Sequence, residues 1–264
     1  MVVALTGLLL AVYPPPQGIF SWASVLVLVG MTASQAALGA ANDWLDRGHD
    51  ALTKPHKPIP ALRARPKGVA AIALLCPGLA LLVALPLGVL PLLLVALGTA
   101  CGYAYNLGLK RTAWSWLPYV AGFSLLPPLV WSVAGIWPSW WATGIYTVGL
   151  PLVLAAHLAN VLPDVEAERG LVPGSLGSRL GVRRGSILAM GCVVGAWIAL
   201  AGQTLVGHGE RIDVWGLVAS GALAAAVAGR FILGARRPER LRWGYRALAT
   251  AALLIVGGEL MIAR

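Results

Sequence analysis

The chain has 264 residues, of which 58% are hydrophobic and only 20 are basic and 10 acidic. A water-soluble globule of this length needs a far more polar surface, so water is excluded as the main solvent. The net charge of +10 would suit a nucleic-acid binder, but the basic residues are placed as topology determinants, and no nucleic-acid partner is expected.

No charged residue precedes Asp43, and apolar stretches cover residues 1–12, 19–41, 69–85, 88–107, 115–136, 140–161, 185–206, 213–234 and 245–263. Most reach the ~20 residues that a helix needs to cross the hydrocarbon layer. They are continuous rather than alternating, which favours helices over a barrel. The expected fold is all-α: about nine transmembrane helices around a central cavity, forming one domain over residues 1–264. The first stretch is short for a span and lacks the basic lead of a signal peptide, so a start upstream of Met1 is expected. Trp114, Trp116, Trp137, Trp140 and Trp141 fall near span ends, as interfacial anchors do. Cys76, Cys101 and Cys192 lie in apolar runs without metal-like spacing and read as small buried hydrophobes.

Between the second and third stretches lie Arg47, Lys54, Lys57, Arg63, Arg65 and Lys67, and between the fourth and fifth Lys110 and Arg111. Arg169, Arg179, Arg183 and Arg184 follow the sixth, and Arg236, Arg237, Arg240 and Arg242, flanked by Arg230 and Arg246, follow the eighth. This puts 18 of the 20 basic residues on one side and leaves Arg211 and Arg264 on the other. The positive-inside rule makes that side cytoplasmic. The expected location is the cell membrane, with these connections facing the cytoplasm.

Six of the ten acids fall in two windows, each just after a span on that same side. Asn42, Asp46 and Asp50 are four apart, and so are Asn160, Asp164 and Glu168. Steps of four keep three oxygen-bearing side chains on one helical stripe. Carboxylates at that spacing repel, oppose the macrodipole of a helix C-terminus and resist desolvation near hydrocarbon. A divalent cation offsets all three costs, and hard oxygen donors suit Mg²⁺. Pro163 either re-aims the second stripe or marks its helix end. His49 beside Asp50 reads more simply as an exposed loop residue than as a proton acceptor. Arg47 reads as a local charge partner of the acids.

Asn42-Asp43-x-x-Asp46-x-x-x-Asp50 resembles the first signature of the UbiA superfamily of membrane prenyltransferases, and Asp164-x-x-x-Glu168 resembles the second, with Glu where Asp is usual. Lys54-Pro55-His56-Lys57-Pro58-Ile59-Pro60 and Tyr105-Asn106-x-x-x-Lys110-Arg111 are similar to the runs that follow the first motif and the fourth span. The resemblance implies Mg²⁺-dependent transfer of a polyprenyl group from a prenyl diphosphate to an aromatic or lipid acceptor within the bilayer, with release of pyrophosphate. It assigns the metal to Asn42, Asp43, Asp46, Asp50, Asn160, Asp164 and Glu168, with Asp46, Asp50, Asp164 and Glu168 as the catalytic set. Lys54, Lys57, Lys110 and Arg111 are then the candidate ligands of the diphosphate.

Alternatives are phosphoribosyl transfer to a polyprenyl phosphate in the same superfamily and a cation-coupled transporter. A transporter would be expected to hold its ionisable residues at mid-membrane, whereas here they gather at one interface.

Overall fold

A computed structural model describes residues 1–137, 141–165 and 174–207. Nine α-helices occur among them: α1 (Val2–Val12), α2 (Trp22–Leu45), α3 (Arg47–Thr53), α4 (Pro66–Ala84), α5 (Val89–Leu107), α6 (Trp116–Ser124), α7 (Leu126–Ala134), α8 (Trp141–Val165) and α9 (Leu176–Gly207). No strand is found among the described residues. Among the described residues, six segments are long and apolar enough to cross a membrane: 22–45, 66–87, 89–107, 116–134, 145–165 and 176–202. They match the second to seventh expected spans, and the first stretch forms the shorter α1. The stretches at 213–234 and 245–263 lie outside the described residues. The described residues are thus all-helical, as in an integral membrane protein.

Each boundary has a local cause. Ser21 caps α2 by accepting a hydrogen bond from the Ser24 amide, and Pro66 opens α4 where an N–H would lack a partner anyway. The fifth span is two helices because Pro127 and Pro128 have no N–H for the carbonyls of Phe123 and Ser124, so α6 stops and α7 restarts after Leu125. The connection expected to extend to residue 184 is already helical from Leu176, with a break at Gly181, whose φ of 69° suits glycine.

The described residues divide into two compact units: residues 1–110 with 117–137, and residues 111–116 with 141–165 and 174–207. In the first, α2 buries a stripe of small residues, Gly30, Ala33, Ser34, Ala37 and Ala41. Small side chains let helices approach closely, which supplies packing energy in lipid, where no hydrophobic force drives helices together. A Cβ on Gly30 would lie 3.1 Å from Val83 of α4. The outward faces remain greasy: Leu74, Leu75, Leu79 and Leu82 of α4 and Leu93 and Leu97 of α5 are exposed. Such a surface is an aggregation hazard in water and an ordinary one in lipid. Trp22 and Trp44, both exposed, bracket α2. At 1.5 Å per residue they stand about 33 Å apart, close to the hydrocarbon thickness.

In the second unit, α8 and α9 pack through Ala155, Ala156 and Ala159 on one side and Ala189, Val193 and Ala196 on the other, all buried.

Candidate functional site

The acidic stripe of the first window spans a helix junction rather than one helix. Helix α2 ends at Leu45, Asp46 sits between helices with φ −89° and ψ 1°, and α3 resumes at Arg47. The four-residue spacing nevertheless carries across. The Asp46 amide donates to the Asn42 carbonyl at 3.0 Å and the Asp50 amide to the Asp46 carbonyl at 2.8 Å. Asn42, Asp46 and Asp50 therefore keep the helical register expected of them.

Two lysines from elsewhere in the first unit reach this stripe. Lys57, in the turn after α3, donates to Asp43 Oδ1 at 3.0 Å and to Asp50 Oδ2 at 2.8 Å. Lys110, in the one-turn 3-10 segment Leu109–Arg111 after α5, donates to Asp46 Oδ2 at 2.5 Å and to Asn42 Oδ1 at 3.1 Å. Asp50 is only 2% exposed, and a carboxylate so buried is tolerable because it is paired. Burial works against the Lys57 ammonium, yet hydrogen bonds and charge from Asp50 and Asp43 outweigh it and raise its pKa above 10.5. Two ammonium groups thus pair with three carboxylates at one helix end and leave the cluster one negative charge in excess.

Helices α2 and α5 are held in register by contacts that sequence reasoning missed. Ser34 and Thr99 share a hydrogen bond of 2.8 Å, and Asn106, buried, donates from Nδ2 to the Leu38 carbonyl at 2.9 Å. Four residues further on from Leu38 and Asn106 lie Asn42 on α2 and Lys110 just beyond the end of α5. The partners rise together in number, so α2 and α5 run parallel and deliver their polar ends to the same side. A polar residue repeated within an apolar run was the available signal, but it names no partner.

Other expected residues fall differently. Arg47 donates to the Trp44 carbonyl at 2.6 Å and stacks over the Trp44 ring at 4.9 Å, so its guanidinium is engaged there instead of among the acids. His49 is half-buried on α3, not an exposed loop residue, because α3 turns it inward. Lys54 is half-buried at the end of α3, and Arg111 is exposed.

In the second unit, Asn160 is exposed and Asp164 half-buried near the end of α8, which continues past Pro163 to Val165. Glu168, the remaining member of that window, lies outside the described residues. The segment carrying Arg111 is fastened within this unit. Buried Ser115 and His157 are 3.2 Å apart, Oγ to Nε2, and the Leu176 amide donates to Ser115 Oγ at 3.3 Å. His157 is two turns before Asp164 on α8 and shares its face.

No group of three or more His, Cys, Asp or Glu converges into a closed metal cage among the described residues. Mg²⁺ typically takes one or two carboxylates and completes its octahedron with water and substrate phosphates. Asp43 with Asp50, and Asn42 with Asp46, each direct two oxygens at a point now held by an ammonium. The donors are hard oxygens, three from carboxylates and one from an amide, already arranged around cations, so the residues fit the metal.

Span-length helices with a carboxylate and lysine cluster where two parallel helices end define a polytopic membrane protein that gathers charged side chains at one end of a helix pair. Residues 1–254 match the model of the UbiA prenyltransferase family, and the chain belongs to that family.

Two relatives are similar over shorter ranges. The bacteriochlorophyll synthase 33 kDa chain of Rhodobacter capsulatus is 35% identical over 124 residues, covering 45% of this chain and 39% of that one. Its counterpart in Cereibacter sphaeroides is 34% identical over 163 residues, covering 55% and 50%. The chain thus spans half or less of the length of the curated relatives it matches.

Among solved structures, the apo UbiA homolog from Aeropyrum pernix K1 aligns with a TM-score of 0.73 at 16% identity, covering 100% of this chain and 98% of that one. The UbiA homolog from Archaeoglobus fulgidus bound to GPP and Mg²⁺ aligns with a TM-score of 0.69, also at 16% identity, covering 100% and 96%. At that identity the likeness establishes the fold.

Proposed function

We propose that the protein is a membrane prenyltransferase that moves a polyprenyl group from a prenyl diphosphate to an aromatic or lipid acceptor and releases pyrophosphate. The observation that carries this reading is the cluster of Asn42, Asp43, Asp46 and Asp50 with Lys57 and Lys110 at contact distance. Anionic donors for metal and cationic donors for phosphate, side by side at a membrane interface, match a metal diphosphate better than a bare cation. Transport of a cation gives no role to the lysines.

In this reading Asn42, Asp43, Asp46 and Asp50, with Asn160, Asp164 and Glu168, hold Mg²⁺, and one catalytic domain extends over residues 1–264. Bound Mg²⁺ supplies Lewis-acid neutralisation of the leaving diphosphate. Lys57 and Lys110 donate to phosphate oxygens, assisted by Lys54 and Arg111. The allylic C–O bond breaks with its electron pair leaving on the diphosphate. The acceptor forms the new bond to the allylic carbon and gives up a proton. The apolar helix walls hold the isoprenoid and keep water from the developing cation. The basic connections carrying these groups face the cytoplasm, in keeping with the 18-to-2 distribution of basic residues.

The bacteriochlorophyll synthase relatives make a bacteriochlorophyll precursor the first acceptor to test, and the GPP-bound homolog makes a prenyl diphosphate the first donor. The purified protein is expected to release pyrophosphate from prenyl diphosphate only with Mg²⁺ and acceptor. Asp46→Asn and Asp164→Asn are each expected to lower turnover at least ~100-fold, the scale of losing one key electrostatic element. Full activity in either folded variant overturns the metal assignment. Release only from phosphoribosyl diphosphate with polyprenyl phosphate moves the protein to the other transfer reaction.

A further inference from the structure

Lys57 occupies the position between Asp43 and Asp50 that a metal would need, and this has a consequence for how the site loads. Its Nζ lies 3.0 Å and 2.8 Å from the two carboxylates, so it satisfies both at once. A divalent ion bridging the same oxygens would sit on the ammonium, and two cations at contact distance repel. The pair cannot hold both.

The turn that carries Lys57 is compact in itself. The Ala61 amide donates to the Lys57 carbonyl at 2.9 Å, and the Arg63 and Ala64 amides donate to the Pro58 carbonyl at 2.9 and 3.0 Å. The Arg63 side chain closes it by donating to the His56 carbonyl. A turn wound on its own hydrogen bonds can withdraw one lysine from the acids without unravelling.

We propose that Lys57 is an internal counter-cation that competes with metal at Asp43 and Asp50 and passes to the diphosphate when the metal arrives. The inference rests on the metal-binding reading of the acidic stripe. While the site is empty of metal, Lys57 keeps Asp50 neutralised in its buried position. When metal enters with diphosphate, the displaced ammonium finds phosphate oxygens as its new partners. Free metal is therefore disfavoured, and metal accompanied by diphosphate is not. The site selects the complex over either part.

The test is direct metal binding to the full-length protein, with Mn²⁺ as the spectroscopic stand-in and bound ion read by electron paramagnetic resonance. Without pyrophosphate, Lys57→Met is expected to bind Mn²⁺ about tenfold more tightly than the wild type, the scale of one charge-assisted hydrogen bond no longer competing. With pyrophosphate present, that advantage is expected to shrink or reverse. Equal Mn²⁺ affinity in the two proteins, with the wild type binding, overturns the competition and leaves the metal site standing. An advantage unchanged by pyrophosphate overturns the transfer to phosphate. Absence of binding in both proteins, with and without pyrophosphate, overturns the metal reading itself and this inference with it.

A second measurement does not depend on Lys57→Met folding. Leu62 is 91% exposed at the tip of the same turn. An environment-sensitive label on Leu62→Cys, with Cys76, Cys101 and Cys192 replaced by serine, is expected to change its emission when Mn²⁺ and pyrophosphate are added together. An unchanged spectrum under conditions where the ion is bound shows that the turn stays in place, and the proposal fails.

Discussion

A charge as secluded as that of Asp50 is tolerated in proportion to its pairing, and the pairing here depends on one long, flexible lysine. The sequence shows the acids and their spacing, because four-residue steps are a property of the helix and need no tertiary knowledge. It shows Lys57 and Lys110 as cations near that face. It does not show that they are already bonded to the acids, since a lysine's reach covers both a carboxylate and a phosphate. The pH behaviour of this pairing has a definite sign. The folded-state pKa of Lys57 is raised above its ordinary 10.5 despite burial. Its contribution to stability is therefore complete below 10.5 and is lost as pH rises through the higher folded value. The gap in melting temperature between wild type and Lys57→Met is expected to be the same near pH 7 and about pH 9 and to close only on the alkaline side of 10.5. A gap that already closes between those two conditions would contradict the pairing.

Helix α5 reaches the acids because of where α2 grips it. Asn106 lies four residues before Lys110, and Leu38 one turn before Asn42, so of the contacts that hold the two helices in register the Asn106 amide is the nearer to the lysine. Asn106→Leu keeps the volume and removes the bond. Interhelical hydrogen bonds in membranes average about 0.6 kcal/mol, so a small fall in melting temperature is expected. A disproportionate, several-fold loss of donor affinity should accompany it as Lys110 loses its register. Loss of stability without loss of donor affinity would make Asn106 merely structural. Gly174 tests a different joint. Its φ of 132° is strained for any other residue, and an added Cβ would strike the Arg111 carbonyl oxygen at 2.5 Å. Gly174→Ala is expected to destabilise by about 1–3 kcal/mol, and unchanged thermal unfolding would refute the contact. Neither joint was legible beforehand, because hydropathy fixes where a helix runs and says nothing about which helix it touches.

At the scale of the molecule, the same asymmetry explains what was legible and what was not. Span positions follow from hydrophobicity and length alone, and six of the expected nine coincide with helices of span length among the described residues. The break between α6 and α7 depends on two adjacent prolines that membrane helices often absorb, so one span was read where two helices stand. Orientation depends on charge bias, and here the structure adds an independent constraint. Parallel α2 and α5 bring Asp46 and Lys110 to one side, as the basic connections require. Two exposed positions lie at opposite ends of this arrangement. Leu62 follows the acidic stripe, and Trp137 follows α7, the span after Lys110. On a background lacking Cys76, Cys101 and Cys192, Leu62→Cys is expected to resist an impermeant maleimide added to intact cells and to react once the membrane is opened. Trp137→Cys is expected to react from outside. Labelling of residue 62 in intact cells would place the acids on the outer face. Cytoplasmic diphosphates would then lack access to the site, so the result bears on the proposed donor as well as on the topology.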